Sequence, residues 1–268
     1  MAKGEGKGWA KGRTAANDPR IAKNATARAG QLRGPYRSAS SGRFDRPRPL
    51  TWTDRLAYAV GLAATDGNLS GDGRHLVFDS EDAQLVETFL SCVGRPIRYG
   101  PRSTRSGGIC YRASFSDVEL YRWFLVVGLT PAKSLTLGGI DVPDEFLFPV
   151  IRGLLDGDGS IANFIHAPTR RRYPSYRYER LIAQFNSASR SHLEWLRDRL
   201  EPTLATRGYV NVTPPKPPKH GFNQLRYGKH ASIKLFGLLY PNDRVPRLVR
   251  KWETWERYRL QHCAEGGI

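Results

Sequence analysis

From residue 50 onward, apolar runs with helical spacing give way repeatedly to stretches in which apolar and polar positions alternate. Leu56, Ala57, Val60, Gly61, Ala63 and Ala64 follow the 3.6-residue period of a buried helix, as do Phe146, Phe148, Val150, Ile151, Leu154 and Leu155. Each run closes on Asp-Gly, at Asp66-Gly67 and Asp158-Gly159, and then alternates, so helix, turn and strand are expected twice. After Asp66 come strands through Leu76-Val77-Phe78, a helix from about Ala83 to Leu90, a strand pair within Arg95 to Phe115, and a helix from Val118 to Val127. After Asp158 the order repeats: strands at Ile161 to Ile165 and Leu181 to Phe185, a helix from Ser191 to Leu200, a strand pair within Tyr209 to Tyr227, and a helix from Ala231 to Leu239. The two Asp lie 92 residues apart, the length of one such half. The expected fold class is α+β, a duplication of αββαββα halves (residues 50–141 and 142–245) that share the Asp-bearing helices as their interface. A last helix from about Pro246 to His262, within 246–268, carries Leu248, Trp252, Trp255 and Tyr258 and is expected to pack on the second half.

Gly61 and Gly153 stand in the same register, five residues before Asp66 and Asp158. A glycine inside a helix costs about 1 kcal/mol relative to Ala, so a matched pair points to two backbones in close approach. Packing through these glycines would bring Asp66 and Asp158 side by side at the helix ends. That position is electrostatically unfavourable, because a helix C-terminus carries partial negative charge and the carboxylates repel one another. A divalent cation would relieve both. One Asp-Gly alone is an ordinary turn; duplication in register turns it into a candidate metal site. A calcium-loop reading of Asp156, Asp158 and Ser160 fails, since the required Gly falls on Ile161 and the closing acid on Ala167.

Charge indicates the partner. The net charge is +17 over 268 residues. Residues 1–49 hold 12 Lys and Arg against 3 acids, a net of +9 that leaves +8 for the remainder, so both parts favour a polyanion. This segment has too few large apolar residues to fold alone and is expected to be a flexible DNA-binding arm with one short basic helix, Asp18 to Arg28, opened by an Asp cap and Pro19. No stretch approaches the ~20 apolar residues of a membrane span, and no membrane partner is expected. The N-terminus lacks the apolar core of a secretory signal, which implies an intracellular protein of the cytoplasm or nucleoid. Cys92, Cys110 and Cys263 lack metal-ligand spacing and fit a reducing compartment.

Ala59 to Gly67 and Ile151 to Gly159, with Pro131-Ala132-Lys133-Ser134 and Pro143 between them, resemble the LAGLIDADG homing endonucleases in their monomeric, two-motif form, over about residues 52 to 260. Ala64, Thr65 and Arg152 depart from the signature without touching Asp66 or Asp158. The resemblance implies a pseudo-twofold pair of saddle-shaped antiparallel sheets laid along duplex DNA, with the two acids beneath the minor groove. It also implies Mg²⁺-dependent hydrolysis of both strands, with Mn²⁺ substituting. Two carboxylates holding metals roughly 4 Å apart suit such chemistry. Asp66 and Asp158 carry over as catalytic and metal-binding residues. Lys133 matches a catalytic lysine near the attacking water, and its second-half counterpart is either Arg250 or Lys251. Asp79 and Asn186, matched at strand ends, are candidates for ordering active-site water.

DNA contacts are expected from basic residues on the strands: Arg98, Arg102, Arg105 and Arg112 in the first half, and Arg170, Arg171, Arg172, Arg177, Arg180, Lys216, Lys219, Arg226 and Lys229 in the second. The 15-residue excess between Asp158 and Ser187, relative to Asp66 and Ser80, reads as an extended hairpin. The arm resembles, more weakly, the small DNA-binding modules of phage and intron nucleases. Two other functions share this scaffold: a maturase that binds the RNA of its own intron, and a non-cleaving DNA-binding regulator. Retention of both Asp66 and Asp158 favours the nuclease.

Overall fold

The computed structural model describes residues 50–104, 107–167, 177–214 and 221–263, together with Ala16, Asn17, Pro19 and Ala22. The rest of the arm helix expected at Asp18 to Arg28, and Arg105, Arg170, Arg171, Arg172, Lys216 and Lys219, lie outside the described residues. The chain divides into two compact units, Met1–Pro47 and Arg48–Ile268.

Every element with a defined range belongs to the second unit. The first half contains α1 (Asp54–Thr65), β1 (Gly67–Leu69), β2 (His75–Ser80), α2 (Ala83–Cys92), β3 (Tyr99–Ser103), β4 (Ile109–Ser116) and α3 (Val118–Val126). A 3₁₀ turn at Lys133–Leu135 and another at Asp144–Phe146 lead into the second half. There follow α4 (Leu147–Asp156), β5 (Ser160–His166), β6 (Tyr178–Ser187), α5 (Arg190–Leu204), β7 (Tyr209–Thr213), β8 (Phe222–Tyr227) and α6 (Lys229–Leu239), and then α7 (Val249–Cys263). The sheets have the same order, β1-β2-β4-β3 and β5-β6-β8-β7, with all neighbours antiparallel. The αββαββα duplication read from the sequence is present in the connectivity.

Local chemistry sets the ends of these elements. Thr53 caps α1 by accepting from Leu56 N at 3.2 Å, and Asp117 caps α3 by accepting from Leu120 N at 3.0 Å. Pro149 falls in the first turn of α4, where a missing N–H leaves no helix bond unmade. The helix expected to end at Leu200 runs on to Leu204, past Pro202. Leu200 and Leu204 continue the buried stripe, and Ala205 ends the helix in the left-handed region at φ 51°.

Each sheet buries alternate residues against helices. Leu76 and Phe78 of β2 share the covered face with Ala113 and Phe115 of β4; Leu181, Ala183 and Phe185 of β6 share theirs with Leu225 and Tyr227 of β8. Phe78 stacks on Phe89 of α2 at 4.3 Å between ring centroids. The opposite faces carry His75, Val77, Asp79 and Arg112 in one sheet and Arg180, Ile182, Gln184, Asn186, Gln224 and Arg226 in the other. Trp255 and Tyr258 of α7 are buried on the second half, with Trp255 beside Phe236. The start of α7 also grips the first half. Gln84 of α2 donates to Arg247 O at 2.8 Å and accepts from Val249 N at 3.1 Å, and Arg250 pairs with Asp82 at 2.9 Å.

Candidate active site at the crossing of two helices

The crossing of α1 and α4 is made possible by the absence of side chains at Gly61 and Gly153. A Cβ on Gly61 would lie 2.1 Å from Val150 O and 2.8 Å from Gly153 Cα; one on Gly153 would lie 2.3 Å from Tyr58 O and 2.9 Å from Gly61 Cα. Backbone thus rests on backbone at the position read from the matched glycines. The turns that follow are equally tight, since a Cβ on Gly67 or Gly159 would lie 2.6 Å from Ala63 O or Leu155 O.

This crossing delivers Asp66 and Asp158 to one place. Burial, and after it the neighbouring Asp158 charge, raise Asp66 from 3.8 to about 7 against the opposing pull of Lys251 and Lys133. Asp158 is the more exposed residue; desolvation of its carboxyl raises it too, again against Lys251 and Lys133. Lys133 is buried, donates to Gly67 O, and is lowered by burial to about 8 while both carboxylates pull it upward. Lys251 is its counterpart. Its Nζ donates to Leu155 O at 2.9 Å, Asp156 O at 2.7 Å and Gly157 O at 2.8 Å, capping the end of α4, and burial lowers it as well to about 8. The Arg250 guanidinium is instead turned onto Asp82.

The donor set suits a hard divalent cation: two carboxylates in mutual repulsion. Among the described residues no group of three or more His, Cys, Asp and Glu side chains is placed to hold a metal. A cation here would take the rest of its oxygen shell from backbone carbonyls, water and phosphate, as Mg²⁺ commonly does.

Around this centre the two halves differ. Asp79 N donates to Asp66 O at 3.3 Å, while the Asp79 carboxylate is held by Arg112, directly opposite on β4, through Nε at 2.6 Å and a second contact from Nη2. Asp79 and Arg112 therefore meet each other, whereas the sequence reading had them serving water and DNA separately. In the matched position Asn186 Nδ2 donates to Asp158 O at 2.6 Å, and its Oδ1 accepts from Gln184 Nε2 at 2.8 Å and Gln224 Nε2 at 3.2 Å. Arg226 joins that network by donating to Gln184 Oε1 and Gln224 Oε1, both at 2.7 Å. A cleft of about 340 Å³ opens beside Asp66, lined by Asp79, Ser80, Asp82, Thr104 and Cys110. Beside Asp158 lies a pocket of about 20 Å³, room for one water, lined by Thr65, Asn186 and His192. Burial pulls His192 down to about 4, and its Nδ1 contacts Gly138 O at 2.8 Å.

Of the basic residues expected on DNA, Arg98, Arg102, Arg177 and Arg226 are exposed, and Arg180 shares the uncovered sheet face with Arg226. Lys229 departs from the expectation. It begins α6 and pairs at 3.1 Å with Glu179, which lies on the helix-covered side of β6 with Leu181, and its Nζ sits 5.5 Å from the Tyr258 ring centre. Once the calcium loop failed, the sequence reading left Asp156 without a role. Fully buried, it accepts from Tyr58 Oη and Leu248 N at 2.8 Å each and from Tyr240 Oη at 2.9 Å.

No protein-family model and no curated protein matches the sequence. Solved structures do. They include the LAGLIDADG homing endonuclease I-LtrWI bound to target DNA, with TM-score 0.49 and 12% identity over 77% of this chain and 89% of that one. The homing endonuclease I-DmoI in complex with DNA and Ca matches with TM-score 0.46 and 15% identity over 78% and 97% of the respective chains. Full-length DUF199/WhiA from Thermatoga maritima matches with TM-score 0.47 and 14% identity over 83% and 68%. These scores carry no argument about activity. The solved structures that this chain resembles over most of its length are mostly LAGLIDADG homing endonucleases.

Proposed function

We propose that this chain is a site-specific double-stranded DNA endonuclease of the homing type, which hydrolyses phosphodiesters with divalent metal held by Asp66 and Asp158. The observation that carries the reading is the duplicated helix end. Two helices meet through Gly61 and Gly153, so that two carboxylates are forced together against their own repulsion, with two buried lysines beside them. No structural economy is served by such an arrangement, and strongly perturbed groups at one place mark a reactive centre.

Mg²⁺, or Mn²⁺ in its stead, would neutralise the carboxylates, polarise the scissile phosphate and stabilise the leaving oxygen. The protein's part is positional and protonic. Asp66 and Asp158 fix the centre on rigid helix ends. Lys133, with Nζ lowered to about 8, keeps a fraction of neutral amine at cellular pH that can accept a proton from the attacking water, and its ammonium form can donate to phosphate oxygens; Lys251, whose Nζ donates to three carbonyls, holds its positive charge beside the carboxylates. Duplex DNA lies along the uncovered sheet faces, where Arg102, Arg180 and Arg226 meet phosphates or base edges. The basic arm, residues 1–49, adds backbone contacts outside them. The protein acts as a monomer, one half per strand.

The test is a cleavage selection on a randomised duplex library in Mg²⁺, comparing the parent with Asp66→Asn and Asp158→Asn. A defined double-strand break by the parent, with both variants binding but not cutting, is the expected outcome. A parent that binds but never cuts in Mg²⁺ or Mn²⁺ would overturn the proposal and leave a DNA-binding protein; preference for intron RNA over duplex would point to a maturase.

A further inference from the structure

Asp156 is the one carboxylate at the helix crossing that the chemistry above leaves without a task. Its place in the duplicated motif is taken by Ala64 in the first half, so whatever it does is done once. It is 0% exposed, yet each oxygen has a partner: Oδ2 accepts from Tyr58 Oη and Leu248 N, and Oδ1 from Tyr240 Oη. Those donors come from α1, from the residue that follows α6, and from the residue that precedes α7.

The Leu248 bond has a consequence three residues on. Leu248 O accepts from Lys251 N at 3.2 Å and Trp252 N at 3.1 Å, forming the first turn of α7, and the Lys251 side chain returns to the Leu155, Asp156 and Gly157 carbonyls. Residue 156 therefore closes a loop: its carboxylate fixes the backbone from which Lys251 springs, and its carbonyl receives the Lys251 ammonium. Lys133, in the other half, sits in a 3₁₀ turn and donates to the single carbonyl of Gly67.

Resting on the nuclease reading, we propose that Asp156 is a positioning residue. By anchoring Leu248 it sets the place of Lys251 at the paired carboxylates, so that the lysine of the second half is held by three carbonyls and by Asp156, and that of the first half by the carbonyl of Gly67. The two strands of the substrate are then cut by unequal machinery. Loss of Asp156 must slow the same strand as loss of Lys251, and must do so through Lys251.

The experiment is a strand-resolved cleavage assay, with each strand labelled, on a site the parent cuts, comparing Asp156→Asn, Lys251→Met and the double variant. Asp156→Asn is expected to slow one strand on the order of 10- to 100-fold, as a displacement near 1 Å can, and to accumulate nicked duplex with binding unchanged. Lys251→Met should slow the same strand, and the double variant should be no slower than Lys251→Met alone. Equal slowing of both strands, or multiplicative effects in the double variant, would overturn the proposal while leaving the nuclease reading intact; a parent that does not cut overturns the latter instead. Should Asp156→Asn not fold, hydrogen exchange in the parent still decides the matter. The Leu248 amide is expected among the slowest of the α7 start, and rapid exchange there would refute the anchor.

Discussion

Adding one methyl group at the helix crossing tests the geometry on which the site depends. In Gly61→Ala the new Cβ would lie 2.1 Å from Val150 O, and in Gly153→Ala it would lie 2.3 Å from Tyr58 O. Ordinary C···O contacts begin at about 3.3 Å, so α1 and α4 must separate by roughly 1 Å. The obstacle is backbone carbonyl, which cannot rotate aside. Overpacking of this kind costs about 1–3 kcal/mol, and the gain of about 1 kcal/mol from Ala in a helix offsets only part of it. A net loss of about 1 kcal/mol, and at most about 2, is expected for each variant, read from the midpoint and slope of urea unfolding. The same separation relieves both clashes, so Gly61→Ala/Gly153→Ala should cost clearly less than the sum of the two. Because the helices carry Asp66 and Asp158, cleavage should fall about 100-fold while DNA binding changes little. Single variants with parental stability and full cleavage, or strictly additive losses, would refute the claim that the two backbones rest on each other here.

Asp66→Asn should stabilise the metal-free protein at pH 8. Its folded pKa near 7 lies above the ordinary 3.8, so the folded chain holds the extra proton between those values and loses stability as pH rises across that window. Removing the charge should return up to about 4 kcal/mol at pH 8 and progressively less as the pH falls toward 3.8. Urea unfolding at both ends of the window is the check, and an equal effect at each would count against it. Deleting residues 1–49 should weaken DNA binding and flatten its dependence on salt, while the cut position stays the same; a shifted cut in sequencing of the products would refute that division of labour.

Much of this fold could be read from periodicity. The duplicated run ending in Asp-Gly located both α1 and α4, and the matched glycines named their point of contact. Alternation in Leu76 to Phe78 and Leu181 to Phe185 located the central strands. What escaped depended on distance in three dimensions. Asp79 and Arg112 lie 33 residues apart and meet only because β2 and β4 pair. Lys229 was counted as a DNA contact on its charge, yet the register of β6 puts its partner Glu179 beneath the sheet. The choice between Arg250 and Lys251 did have a signal. Leu248, Lys251, Trp255 and Tyr258 are spaced three, four and three residues apart and form one buried stripe, which Arg250 leaves. Asp156 also had one, because it breaks the likeness of the two motif copies where Ala64 stands in the other.

On the nuclease reading, the grip of α7 on both halves bears on when a growing chain could first harm the genome that encodes it. Synthesis runs from the N-terminus, and domains begin to fold as they emerge. The basic arm, both sheets, Asp66, Asp158 and Lys133 all leave the ribosome before Lys251 does. Until the turn beginning at Leu248 docks against Asp156 and Gln84, the end of α4 lacks its ammonium cap. On the reading proposed above, a nascent or truncated product has the means to hold DNA before it has the means to break both strands, and double-strand cleavage is withheld until the last helix in the described chain is home.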